Sequence, residues 1–207
     1  MSAPHGRRWW FVGATLAAFI LAAAFCADAA VQSWFAQHQT PGGLRLARAV
    51  TRWGDWPAHV AAGLLGALLA YVSEKREWLV IFAGMVIACA LAGGVNRAIK
   101  MTAGRSRPSV ATEASWNGPT ASSKYHSFPS GHTVSSTAFF AVFLLARRRV
   151  GFALLLVPAV IAASRLYLNA HFLSDVVFAA LLGLACAILV WRFLKRRYPL
   201  RTLERVP

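Results

Sequence analysis

Residues 163–179 read ASRLYLNAHFLSDVVFA. One apolar run ends here and another begins, with Arg165, His171 and Asp175 set between them. A charge removed from water is costly unless it is paired or wet, so such a cluster is either a structural ion pair or a site. The fold follows from the same alternation of apolar run and short polar link, which repeats in both directions along the chain.

About 20 apolar residues cross a bilayer, and on that measure six helical spans are expected, near 9–30, 57–73, 78–98, 129–146, 150–168 and 171–193. The second is short and the fourth has a polar first half. Helices are required because a chain in lipid must satisfy its own backbone hydrogen bonds, and the runs lack the alternation of a barrel. The composition agrees: 57% of residues are hydrophobic and 14% charged, against about 25% charged in an ordinary soluble domain. The expected fold is an all-α, polytopic membrane helical bundle of about six transmembrane helices, with residues 1–207 forming one domain.

The chain has 22 basic and 7 acidic residues. The basic ones cluster at the ends of apolar runs, which reads as topology signals and lipid headgroup contacts and speaks against a nucleic-acid partner. With six spans, Arg7, Arg8, Lys75, Arg76, Arg147, Arg148, Arg149, Lys195, Arg196, Arg197, Arg201 and Arg205 fall on one side. The positive-inside rule makes that side cytoplasmic, together with both ends of the chain. Arg45, Arg48, Arg52, Arg97, Lys100, Arg105, Arg107, Lys124 and Arg165 fall on the other, too many for an idle outer face.

Residues 42–57 account for three of these. Arg45, Arg48 and Arg52 follow helical spacing while Leu46, Val50 and Trp53 take another face, as in an interfacial helix that either anchors the chain or gathers anionic headgroups. Asp55 before Trp56-Pro57 reads as a helix cap, and His59 as a core residue near that helix start. Pro158 predicts a kink in the fifth span. Residues 101–128, rich in Ser, Thr, Gly and Pro, predict an outer loop. Cys26, Cys89 and Cys186 lie inside apolar runs and read as small core hydrophobes. At the N-terminus, Ala27-Asp28-Ala29 after an apolar run looks like a signal cleavage site, but the length of the run and bulky Phe25 favour an uncleaved first span.

Three clusters carry candidate chemistry. Lys100 and Arg107-Pro108 lie at the end of the third span, and basic residues there either hold a phosphate or simply reach for water. Pro129-Ser130-Gly131-His132 opens the fourth span, where a hydroxyl, free backbone N–H groups and the helix dipole suit an anion. His132 beside it is either a satisfied core residue or a catalytic one. His171 and Asp175 are four residues apart, so on one helix the carboxylate reaches a ring nitrogen, fixes the tautomer and strengthens the other nitrogen as a nucleophile. The alternative is an Asp–His staple at a helix start. Six spans place all three clusters, with Arg165, at one level on one side.

These residues resemble the type 2 phosphatidic acid phosphatases, a superfamily that includes soluble bacterial acid phosphatases and vanadium haloperoxidases. Its three-part signature is matched by Lys100 to Arg107-Pro108 (K-x6-RP), Pro129 to His132 (PSGH), and Ser164-Arg165 through His171 to Asp175 (SR-x5-H-x3-D). The resemblance implies that His171 attacks phosphorus to form a phosphohistidine, Asp175 orients it and His132 protonates the leaving group. It further implies that Lys100, Arg107, Ser130, Gly131 and Arg165 bind the phosphate oxygens, with no metal and no other cofactor. Arg105 is a candidate for assisting substrate binding, Tyr125 and His126 for lining a headgroup pocket, and Glu113 is a loop carboxylate without an assigned role.

Repeated membrane crossing makes the expected substrate a phospholipid or isoprenoid phosphate, of the phosphatidate, phosphatidylglycerophosphate, undecaprenyl pyrophosphate or lipid A type. The expected setting is a bacterial inner membrane with the site on its extracytoplasmic face. A phosphotransferase would use the same phosphohistidine. A lipid transporter would explain the basic residues but not His171 and Asp175.

Overall fold

The computed structural model describes the backbone of residues 5–110 and 114–198, and side chains from Trp10 onward. The side chains of Arg7 and Arg8, and Glu113, Arg201 and Arg205 altogether, lie outside the described residues. Among those described the chain is helical: α1 His5–Gln37, α2 Pro41–Trp53, α3 Trp56–Val72, α4 Arg76–Ala103, α5 Gly131–Ala146, α6 Arg148–Leu154, α7 Leu156–Tyr167 and α8 Leu173–Arg197.

Four apolar segments are long enough to cross a membrane: Trp10–Gln37, Arg76–Ala103, Arg148–Tyr167 and Leu173–Arg197. Two shorter apolar helices, Trp56–Val72 and Gly131–Ala146, pack beside them. The six expected spans are thus six apolar segments, four of them at full length. Side chains such as Phe11, Phe19, Leu64, Leu68 and Phe193 point outward, which is where apolar groups belong when the solvent is lipid.

The bundle centre is α4, α5 and α8. Ile81, Ala88 and Ala92 meet Val134, Ala138 and Val142, and Ala179, Ala187 and Trp191 close the third side. Lipid supplies no hydrophobic drive between helices, so close backbone approach must do the work. At Gly183 it does: a Cβ there would lie 2.7 Å from the Val134 carbonyl oxygen and 3.0 Å from the Ala138 nitrogen. Cys89 and Cys186 are buried, as expected of core hydrophobes, whereas Cys26 is exposed because that face of α1 turns away from the bundle.

Helix ends follow local chemistry. Thr40 caps α2, its Oγ1 accepting from Gly43 N at 3.1 Å. The link before it is tied to the end of α7: Thr40 N donates to Tyr167 Oη at 2.8 Å and Gln39 Nε2 to the Tyr167 carbonyl at 2.6 Å. On α2 itself Ala47 is buried while Arg45, Arg48, Arg52, Leu46 and Trp53 are exposed, the pattern of an interfacial helix. Asp55 caps α3 by accepting from Trp56 N at 2.9 Å. His59 is a buried core residue, its Nδ1 2.9 Å from the Asp55 carbonyl and its ring edge-on to Phe139 and Phe140. α4 stops at Gly104, whose φ of 60° is the left-handed conformation glycine adopts without strain.

One expectation, the Pro158 kink, is met by a break within the fifth span, and one needs correction. The fifth span is broken at Leu155, three residues before Pro158, into α6 and α7. Proline has no N–H for the carbonyl four residues back, here Leu154, and its ring crowds that oxygen, so the disturbance falls one turn upstream. The sixth helix begins at Leu173 and leaves His171 in the preceding link.

Candidate active site

The three clusters meet at one end of the bundle. Ser130 N donates to the Asp175 carbonyl at 3.2 Å, tying the start of α5 to the first turn of α8. A Cβ on Gly131 would lie 3.6 Å from Asn96 Nδ2 and 3.9 Å from Lys100 Cε, so the end of α4 runs alongside. The Lys100 ammonium crosses to the loop, donating to the His126 carbonyl at 2.7 Å and more weakly to that of Ser127 at 3.5 Å.

Because His171 precedes α8, it does not share a helical face with Asp175. The two meet because Asp175 is in the first turn and folds back: its Oδ2 accepts the Phe172 N–H at 2.9 Å, satisfying an otherwise orphaned helix donor. This brings Oδ2 to 3.4 Å from His171 Nδ1. The separation is that of an ion pair, but the angles are not those of a hydrogen bond, and Nδ1 has no hydrogen-bond partner among the described residues. Asp175 is fixed from two further directions, by Ser127 Oγ donating to Oδ2 at 2.5 Å and Arg105 Nη1 donating to Oδ1 at 2.6 Å.

Burial pushes the His171 imidazole down to about 3; Lys100 and Arg165 act in the same direction, while Asp175 opposes them. The ring is therefore neutral at neutral pH, with one nitrogen holding a lone pair. The Asp175 carboxylate beside Nδ1 favours the proton there, which leaves the lone pair on Nε2.

Around it stand three cations. Arg107 Nε donates to the Ser123 carbonyl at 3.2 Å and Nη1 to that of Ala170 at 3.4 Å. Arg165 Nη1 donates to Thr51 Oγ1 at 3.1 Å, and its buried Nε has no hydrogen-bond partner among the described residues. Lys100, Arg107 and Arg165 repel one another, and among the described residues none forms an ion pair with a carboxylate. Neutral acceptors hold them in place without cancelling their charge. The charge is left to attract an anion, by planar forks from the arginines and a point charge from the lysine.

Ser130 Oγ accepts from Thr133 Oγ1 at 3.0 Å, so its own proton is free to donate. His132, in the first turn of α5, has Nε2 3.9 Å from Asp55 Oδ1 and lies within the field of Arg165, Lys100 and Arg107. The structure thus brings together Lys100, Arg107, Ser130, Gly131, His132, Arg165, His171 and Asp175.

The three residues expected around the substrate are placed differently. Arg105 turns into the protein, where Asp28, Ser174 and Asp175 take up both its terminal nitrogens. His126 is buried with Nε2 2.9 Å from the Thr120 carbonyl, and its own carbonyl receives Lys100. Both brace the site from behind. Tyr125 is half-buried at the end of a 3₁₀ turn, Ser123–Tyr125. The pattern also missed contributors: Asp28, Ser127 and Ser174 around Asp175, Thr51 behind Arg165, and Asp55 beside His132. An aspartate within an apolar run is the signal that marks Asp28, but its alanine neighbours made it look like part of a cleavage site.

Residues 78–199 match the PAP2 superfamily. The chain belongs to that superfamily. Among similar proteins, a decaprenylphosphoryl-5-phosphoribose phosphatase of Mycolicibacterium smegmatis is 39% identical over 141 residues, covering 66% of this chain and 71% of that protein. A protein of the same name from Mycobacterium tuberculosis is 37% identical over 155 residues, covering 72% and 80%. The fold is shared with a transmembrane PAP2-type phosphatidylglycerolphosphate phosphatase of Bacillus subtilis: TM-score 0.64, 22% identity, 95% of this chain and 98% of that one. It is also shared with LpxE of Aquifex aeolicus: TM-score 0.58, 19% identity, 80% and 94%. This PAP2 chain is accordingly an integral membrane phosphatase.

Proposed function

We propose that this PAP2 phosphatase hydrolyses the phosphate of a membrane lipid through a phosphohistidine on His171, without a metal, at the extracytoplasmic face of a bacterial inner membrane. One observation carries the reading: a buried imidazole, its Nδ1 3.4 Å from the Asp175 carboxylate, stands among three basic side chains that form no ion pair with a described carboxylate. In the first step His171 Nε2 attacks phosphorus, the bond from phosphorus to the lipid oxygen breaks, and His132 gives that oxygen its proton. In the second, water attacks phosphorus, the P–N bond breaks, and His132 recovers a proton from the water. Inorganic phosphate leaves and His171 is restored.

Lys100, Arg107, Arg165, Ser130 Oγ and the Gly131 N–H hold the non-bridging oxygens as charge shifts between them. Fixed donors of this kind usually supply the largest share of phosphoryl transfer, and a placed general acid adds roughly 10²–10⁴-fold. A site at the bundle end suits a phosphate whose lipid chain stays in the membrane. The names of the similar mycobacterial proteins add a phosphomonoester on a polyprenyl-linked sugar to the candidate substrates. Phosphatidate, phosphatidylglycerophosphate, undecaprenyl pyrophosphate and lipid A phosphates are the comparison set.

Purified protein in detergent with a chelator is expected to release phosphate from at least one of these lipids, and His171→Ala, still folded, is expected to release none. Normal release from His171→Ala would remove the nucleophile from the proposal.

A further inference from the structure

α1 turns almost all of its described surface away from the bundle. From Trp10 to Gln37 only Ala24 and Asp28, one turn apart, are buried. An aspartate on such a helix is costly without a partner, and Asp28 has three contacts. Its Oδ2 accepts from Arg105 Nη2 at 2.7 Å and Ser174 Oγ at 2.5 Å, and its Oδ1 from Ser174 N at 2.8 Å. Through Arg105 it reaches Asp175, and through Asp175 it reaches His171.

We propose that Asp28 is a positioning residue of the active site, which offsets the charge of Arg105 so that Asp175 faces His171 with net negative charge. This rests on the phosphohistidine reading above. Arg105 and Asp175 alone would cancel, and an imidazole gaining positive charge on attack would meet a neutral pair. Asp28 makes the set one cation and two carboxylates, so one negative charge is restored beside the ring.

Arg105 is well placed for this balance. Its guanidinium carbon sits 4.2 Å from the ring centre of Phe172, 5.0 Å from that of Trp116 and 5.3 Å from that of Phe25, the last also on α1. Aromatic faces hold the cation without neutralising it, and the planar fork lets one side chain bridge two carboxylates. α1 thus supplies both a counter-charge and a wall. The PAP2 match begins at residue 78, so it assigns nothing to this helix.

A merely structural Asp28 would staple α1 to the bundle and leave the chemistry alone. Asp28→Asn separates the two roles, because asparagine keeps the size and an acceptor but loses the charge. Loss of partners that orient a reacting group elsewhere costs about 10–100-fold in activity, and a fall of that order in kcat is expected. KM should stay within about twofold, since the phosphate-binding cations are untouched. The double variant Asp28→Asn with Arg105→Gln removes both charges and returns Asp175 to net negative charge, so its kcat should exceed that of Asp28→Asn alone.

Wild-type kcat in Asp28→Asn, or a double variant slower than Asp28→Asn, would overturn the proposal. Should Asp28→Asn not stay folded, the double variant alone decides: kcat within about tenfold of wild type supports charge balance, and a larger loss overturns it. His171→Ala is assayed alongside. Activity there would bring down the phosphohistidine reading itself, whereas a silent His171→Ala with a fully active Asp28→Asn removes only the role of Asp28.

Discussion

Arg105 and Arg107 stand two residues apart in the same loop and have opposite surroundings. Arg105 is buried between two carboxylates and three aromatic rings, its charge more than matched. Arg107 is half-buried, donates to backbone carbonyls among the described residues and shares its space with two other cations. The same division separates the two sides of His171. Behind the ring lies a network of one cation paired with two carboxylates; in front lies a set of cations held in place without an ion-pair partner among the described residues. Closed networks set geometry, and unbalanced ones bind ligands. A basic residue near a site is therefore identified by what neutralises it and not by its distance from the chemistry.

The largest effect expected from this contrast is on folding. Arg105→Met leaves Asp28 and Asp175 buried without their cation, and removing one partner of a buried pair costs about 3–5 kcal/mol. Thermal unfolding in detergent should show that loss. Unchanged stability would mean that the carboxylates are not charged partners of Arg105 in the folded protein.

Arg107→Met should behave in the opposite way. Its stability should change little, because the side chain bonds only to exposed or partly exposed carbonyls and its charge is uncompensated. Catalysis should suffer instead: removing one donor to developing charge typically lowers kcat about 10²–10³-fold. If Arg107→Met unfolds as readily as Arg105→Met, the distinction between the two arginines fails.

Much of this was legible in the sequence because polar residues stand out in an apolar chain. Lys100, Arg107, Ser130, His132, Arg165, His171 and Asp175 could be picked out by their places at the ends of apolar runs and by the family resemblance, and the repeated apolar runs gave an all-α membrane bundle. What escaped depended on contacts between distant segments. Asp28 and Ser174 are 146 residues apart, and no local pattern links them. The helical reading of His171 and Asp175 placed the pair together for the wrong reason, since four-residue spacing is equally consistent with a helix-start carboxylate folding back over the preceding link. The kink in the fifth span was legible from Pro158, and it falls at Leu155 because proline disturbs the carbonyl one turn before itself.

The smallest effect tests how far the front of the site depends on α2. Thr51 Oγ1 accepts from Arg165 Nη1 at 3.1 Å and lies 3.1 Å from Ser164 Oγ, so an interfacial helix props an arginine that belongs to α7. Thr51→Val preserves shape and removes only the oxygen. A hydrogen bond to a charged group contributes about 1.5–3 kcal/mol when buried, and this one is only partly so, which sets the expected loss in kcat/KM at about tenfold or less. Stability should move by less than about 1 kcal/mol, because valine still fills the contact. A much larger loss would place Thr51 among the groups that hold phosphate directly. No loss would show that Arg165 keeps its place through α7 alone, and α2 would then be an anchor without a share in the site.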